Sequence, residues 1–153
     1  VCVCTIIFII NLKEMFYMRL KEFYSNVKDN NEEVVVFIRY GNFYRCYYND
    51  AYIVSYLFDY KLSDKKSTGF PICNIDKVLS ILKNNNISCI VINNINNVIN
   101  YICINNKYNS FLDLSKKNYT LNEALFSINK EVKELLTKNI NNYNIIINFI
   151  RSI

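Results

Sequence analysis

The stretch from Val34 to Ala51, VVVFIRYGNFYRCYYNDA, constrains the fold more than any other part of the chain. Apolar or aromatic residues fill positions 34 to 40, interrupted only by Arg39. A run of this length, rich in β-branched and aromatic residues, is typical of a strand that is buried on both faces. Gly41 and Asn42 then predict a tight turn, because both residues tolerate positive φ. The stretch therefore predicts a strand, a turn, a short strand and a helix.

The same residues resemble the opening motif of the N-terminal mismatch-recognition domain of the MutS family of DNA mismatch-repair proteins. That motif reads roughly apolar-x-R-x-G-D-F-Y-E-x-F-x-x-D-A. Asn42 stands where the family usually has Asp, and Arg45 replaces the family's Glu. The positions that match are Arg39, Gly41, Phe43, Tyr44, Asp50 and Ala51. The resemblance extends more loosely through residues 34–104 and implies a MutS domain I-like core, a mixed β-sheet flanked by helices.

Further strands are predicted on both sides of a polar loop. Tyr60 to Leu62 is expected to form a short strand, and the loop Ser63 to Thr68 ends at a Gly-Phe-Pro turn. The Gly-Phe-Pro residues resemble a similar element of the family. Ile87 to Ile92 and Val98 to Ile104 predict two buried strands joined as a hairpin.

Capping residues and apolar spacing predict the helices. Leu12 to Val27 has the spacing of an amphipathic helix. Asn49 or Asp50 is expected to cap the helix after the motif, and Asn74 a later helix that ends at Asn84 to Asn86. Thr120 and Glu123 form a capping box before an apolar pattern. Asn139 to Ile153 predicts either the second helix of an αα-hairpin or a frayed tail.

The length predicts a single domain over residues 1–153. The resemblance implies a mixed α+β core at 34–104, and residues 105–153 are expected to form a helical extension. The first ten residues are apolar but half as long as a membrane span requires, which predicts no membrane span. Residues 1–14 are interpreted as non-native or as an extra strand; a membrane or partner contact is the alternative. No methionine starts the chain, so Met15 or Met18 is a candidate true start.

Composition argues against catalysis. The chain contains no histidine, only two glycines and neither a P-loop nor a GxGxxG motif, so we predict no enzyme activity, no cofactor and no metal site. The ATPase and clamp regions of a MutS protein do not fit in 153 residues. Six scattered cysteines without a CxxC pair fit a reducing cytoplasm. A net charge of +5 permits contact with phosphates without requiring it.

Phe43 and Arg45 are the principal candidates for DNA binding. In the family, the Phe at this position is a wedge that stacks on a mispaired base, and insertion of an apolar side chain senses a weakened base step. The alternative is that Phe43 packs in the core. Arg45 shares a face with Phe43 on a strand but only donates hydrogen bonds, unlike the family's Glu, so it is expected to bind phosphate or a base acceptor. A solvated surface charge is the alternative for Arg45.

Four cations complete the predicted interface. Lys61, Lys65 and Lys66, together with Arg39, are candidate phosphate contacts around the polar loop, which resembles a basic loop of the family. Plain solvation is the alternative. The sequence as a whole predicts a non-catalytic module that binds duplex or mismatched DNA. The competing interpretation is a protein-interaction module that keeps the scaffold, does not bind DNA, and contacts a protein partner through the C-terminal helices.

Overall fold

The computed structural model describes residues 19–63, 66–94 and 96–153. The apolar stretch at positions 1–10, the first part of the predicted helix at 12–27, and Lys65 lie outside the described residues. The chain divides into two compact units, with the boundary between Ser115 and Lys116. The first unit holds the sheet, and the second consists of helices.

A five-stranded mixed sheet forms the first unit, with strand order β3-β2-β1-β4-β5. Only β1 and β4 run parallel; the other neighbouring strands are antiparallel. This confirms the predicted mixed α+β fold. The elements are α1 (residues 19–29), β1 (Val35–Tyr40), β2 (Phe43–Tyr47), α2 (Tyr48–Phe58), β3 (Ser67–Pro71), a 3₁₀ turn (Ile72–Asn74), α3 (Ile75–Asn84), β4 (Cys89–Asn94), β5 (Asn97–Tyr101), α4 (Tyr108–Lys138) and α5 (Asn142–Arg151).

The central strand β1 contributes to a separate core on each face of the sheet, as its continuous apolar sequence predicts. Val35 and Phe37 belong to a core that also includes apolar residues of α2, α3 and the start of α4. Val36 and Ile38 pack on the opposite face, in a smaller core that includes Tyr24 of α1. The alternation follows from the two-residue period of a strand. Because both faces are filled, the position of β1 fixes the hairpin that follows it.

The region between α2 and α3 differs from the sequence prediction. Residues 60–62 form no strand, and the strand lies instead at Ser67–Pro71, where a loop and a turn were predicted. Gly69 explains the difference. It pairs with Arg45, and a Cβ atom at Gly69 would lie 2.6 Å from the Tyr44 carbonyl oxygen. Glycine here permits close approach of two strands rather than a turn, and Pro71 is tolerated because β3 is an edge strand.

The predicted hairpin after α3 is confirmed, since β4 and β5 pair antiparallel. The prediction that its second strand is buried is wrong: every residue of β5 is exposed, because β5 is an edge strand. The predicted end of α3 is also confirmed, as the helix stops at Asn84 and Asn85 caps it through its backbone. Asn74 occupies the position before α3 but makes no side-chain capping hydrogen bond.

The first of the two C-terminal helices begins earlier than predicted. The predicted capping box at Thr120 is wrong, because α4 already starts at Tyr108 and the Thr120 hydroxyl donates to the Lys116 carbonyl, 3.0 Å away, inside the helix. Such a bond satisfies the hydroxyl without ending the helix. The predicted helix within Asn139 to Ile153 is confirmed as α5.

Candidate nucleic-acid interface

The turn between β1 and β2 exposes an aromatic side chain. Gly41 adopts a φ of +59°, a conformation that glycine reaches without steric cost, and the Cβ position there is open. Phe43 follows as the first residue of β2, and the residue is 48% exposed. It pairs with Tyr40 on one side and Pro71 on the other. The ring therefore lies at the start of a paired strand of the hairpin and is not buried in the core.

Arg45 lies on the same face of the sheet as Phe43, two residues along β2. Its guanidinium carbon is 5.4 Å from the centre of the Tyr40 ring, a cation–π geometry. Across the strand, Gly69 leaves room for the arginine stem, since a Cβ there would sit 3.3 Å from Arg45 Cγ. Tyr40, Phe43 and Arg45 thus form one aromatic and cationic group, which we call the hairpin group.

Arg39 lies near the hairpin but on the other face. It pairs with Tyr44, whose side chain is buried in the larger core. The Arg39 side chain is exposed, and its Nε donates to the Gly41 carbonyl oxygen at 3.3 Å. The structure therefore separates Arg39 both from the hairpin group and from the polar loop with which the sequence associated it.

Lys66 lies at the opposite end of β2. It precedes Ser67, which pairs with Tyr47, and its carbonyl accepts the Tyr48 amide at 2.7 Å. Phe43 and Tyr47 are four residues apart, so about 13 Å separates the two ends. The Lys61 carbonyl accepts the Thr68 hydroxyl at 3.1 Å, which places the Lys61 backbone beside β3, the strand that Lys66 precedes.

Sequence reasoning missed a third lysine at this end. The Lys21 ammonium of α1 lies 5.4 Å from the centre of the Tyr48 ring. The position of Lys21 in an amphipathic helix did not indicate this contact, because the contact joins two segments that are distant in sequence. We call Lys21, Lys61 and Lys66 the lysine end. The described cations of the predicted interface thus occupy two separate ends of β2.

Asp50 is fully buried, and its interpretation as a helix cap is wrong. The helix α2 starts at Tyr48 without a side-chain cap. The Asp50 carboxylate instead accepts the Val36 amide at 2.8 Å, the Tyr108 hydroxyl at 2.6 Å and the Tyr24 hydroxyl, and pairs with Lys28 Nζ at 2.9 Å. One carboxylate therefore joins α1, β1, α2 and α4.

Burial determines the protonation behaviour of this cluster. Removal from water raises the pKa of Asp50 above its ordinary value, while Lys28 and the hydrogen bonds from both tyrosines oppose that rise. Burial, and next the adjacent carboxylate, raise the pKa values of Tyr24 and Tyr108, so both phenols stay protonated and donate to Asp50. The Lys28 ammonium and the two phenols all bind the Asp50 carboxylate, which indicates a structural clamp rather than a catalytic site.

The described residues show neither a metal site nor a membrane-spanning helix. Within residues 19–63, 66–94 and 96–153, no group of three His, Cys, Asp or Glu side chains is arranged to hold a metal ion. None of the helices described here has the length and apolar character needed to cross a membrane.

A known protein family matches more than half of this chain. The family model described as MutS domain I matches residues 18–98, which is more than half of the 153 residues. The matched segment contains the hairpin group and reaches back into α1, including Tyr24 and Lys28, which the sequence motif did not include. No curated protein matches the chain.

Proposed function

The chain belongs to the MutS domain I family, and on that premise we propose that it is a non-catalytic module that binds duplex or distorted DNA through the hairpin group. The family makes a mismatch-recognition-like module the starting expectation. The observation that carries the proposal is the half-exposed Phe43 beside the β1–β2 turn, with Arg45 on the same face of β2.

Phe43 supplies the wedge in this proposal. An apolar ring inserted between base pairs must overcome an unstacking cost of a few kcal/mol, and a mismatch or bulge lowers that cost. Because the ring already projects from a fixed turn, little conformational entropy is lost when it inserts. Truncation of the ring should remove about 1–3 kcal/mol of stacking.

Arg45 changes how the module discriminates. The family's Glu accepts a hydrogen bond at this place, whereas guanidinium only donates. Arg45 beside the wedge attracts phosphate and base acceptors in any sequence, so it raises general affinity and lowers the preference for mismatches. Lys61 and Lys66 at the lysine end contribute flanking phosphate contacts, and so does Arg39 on the opposite face.

Fluorescence anisotropy with labelled duplexes tests this function. The wild-type chain should bind homoduplex and single-mismatch duplexes, and binding should weaken steeply with salt. Phe43→Ala should lose about tenfold in affinity for the mismatched duplex. Phe126→Ala removes an exposed phenylalanine of α4 and is the matched control, which should bind like the wild type.

Arg45→Glu restores the family's residue. It should lower the affinity for homoduplex while increasing the ratio between mismatched and matched binding. If the wild-type chain fails to bind any duplex at low salt, the DNA proposal fails. The protein-interaction alternative is then favoured by the exposed apolar side chains of α4 and α5.

A further inference from the structure

Residues along α4 repeat with the spacing of a coiled coil. Six residues from Asn118 to Leu135 follow this spacing, with consecutive members three, four, three, four and three residues apart. Leu114 extends the pattern four residues before Asn118. A spacing that averages 3.5 residues keeps one stripe of side chains against a partner helix only when the two helices wind into a left-handed supercoil. We call the stripe the α4 seam; it consists of Asn118, Leu121, Leu125, Ile128, Val132 and Leu135.

The unit that contains the seam has no interior. It spans Lys116–Ile153, all of it described, and none of its residues is buried. Segments shorter than about 40 residues seldom hold a fold without disulfides, metals or oligomerisation. Twelve large hydrophobic side chains of the unit are exposed, among them Leu121, Leu125, Ile128 and Leu135 of the seam.

We propose that the α4 seam pairs with the α4 seam of a second copy of this chain, as a parallel and in-register coiled coil. The exposed hydrophobic side chains of the seam, at Leu121, Leu125, Ile128 and Leu135, offer roughly 350 Å² per copy, the size of a small and weak interface. A single apolar patch of about 300–600 Å² is the largest on a typical monomer and is often functional. A second copy presents the same heptad spacing and therefore complements the seam.

Asn118 sets the direction of the pair. It is the single polar residue of the seam, at an a position if Leu121 and Ile128 are d positions. In a parallel, in-register dimer the two Asn118 amides meet and satisfy each other, whereas an antiparallel arrangement sets each against an apolar residue. The amide currently accepts a hydrogen bond from Asn122 at 2.9 Å, so it is already oriented along this helix.

The residues beside the seam are compatible with this pairing. In a parallel dimer each g position faces an e position five residues further along the second helix. Lys117 would then face Asn122 of the second copy, and Glu131 would face Leu136. Neither pair brings like charges together, and the stem of Glu131 can cover the leucine.

Sedimentation equilibrium of the full chain tests the association. The wild type should be a dimer in the micromolar range. Leu125→Lys should weaken association by at least about a hundredfold, because each copy would bury an unpaired ammonium. Phe126→Lys places the same charge one residue away and outside the seam, and should remain dimeric. Both side chains are about half or more exposed, so circular dichroism should show folded protein in both cases.

Disulfide trapping tests the register. Ile128→Cys should form a disulfide-linked dimer through residue 128 under mild oxidation, and Ser127→Cys should not; peptide mapping separates this bond from those of native cysteines. A monomeric wild type overturns the proposal, as does equal loss of association in the Leu125→Lys and Phe126→Lys variants. A dimer that Leu125→Lys disrupts but that Ile128→Cys fails to trap overturns the parallel register.

Discussion

Replacement of Asp50 by Asn should destabilise the first unit more than any surface substitution. Asn is nearly isosteric with Asp, so the effect isolates charge and hydrogen bonding from packing. The carboxylate accepts from Val36, Tyr24 and Tyr108 and pairs with Lys28. An amide has one acceptor oxygen, so at least one of these donors would face the NH₂ group and lose its partner.

The size of the effect depends on the contacts that Lys28 keeps after the carboxylate is removed. Removing one partner of a buried ion pair costs about 3–5 kcal/mol. Lys28 keeps two carbonyl acceptors, Val34 at 2.5 Å and Glu32 at 2.7 Å, and its side chain is 17% exposed. These contacts reduce the loss, so we expect about 2–4 kcal/mol. The double variant with Lys28→Met should recover part of it, because the lysine no longer lacks its carboxylate.

Urea unfolding measures this free energy. The chain has no tryptophan and thirteen tyrosines, so near-UV circular dichroism can follow Tyr24 and its neighbours. Asp59→Asn is the control. Asp59 is exposed in the left-handed region, which Asn tolerates, and the change should stay within about 0.5 kcal/mol. A loss below about 1 kcal/mol for Asp50→Asn with an unchanged denaturant slope would refute the clamp.

Three further results are expected. Arg45→Gln should reduce the slope of log affinity against log salt by about 1, as one phosphate contact is lost; an unchanged slope would remove Arg45 from the interface. Gly69→Ala should lower the free energy of unfolding by about 1–3 kcal/mol through the clash with β2, and retention of wild-type stability would show that β3 can shift. Stability should fall as pH rises above about 9, because burial raises the pKa of Cys89 from 9.0 to about 12 and the unfolded chain releases that proton first. Cys89→Ala should reduce this alkaline loss without abolishing it, because burial also raises the pKa values of Cys46, Tyr24 and Tyr108; an unaltered profile would contradict the assignment to Cys89.

Much of the fold could be predicted because its signals are local. The apolar run before Gly41 predicts β1, and the apolar pattern after Thr120 predicts a helix near the C-terminus. The errors occur where a residue serves a distant partner. Gly69 looks like turn punctuation, yet it allows β3 to approach Arg45. Thr120 looks like a cap, yet its hydroxyl bonds within a helix that began at Tyr108.

The candidate site also combines features that the local sequence determines with features that only the fold determines. A local rule, the alternation of side chains along a strand, places Phe43 and Arg45 on one face. The distance from this pair to Lys66 depends on the pairing of β2 with β3, which the sequence could not supply. The role of Asp50 needed Tyr24, Lys28 and Tyr108, which lie 22 to 58 residues away and have no common motif.

The most direct test of the central claim is base unstacking. A duplex with 2-aminopurine beside a mismatch reports insertion of the wedge as a rise in fluorescence. The wild-type chain should produce that rise, Phe43→Ala should abolish it while anisotropy still detects binding through the cations, and Phe126→Ala should behave like the wild type. An equal rise with Phe43→Ala, or none with the wild-type chain bound, would contradict the account.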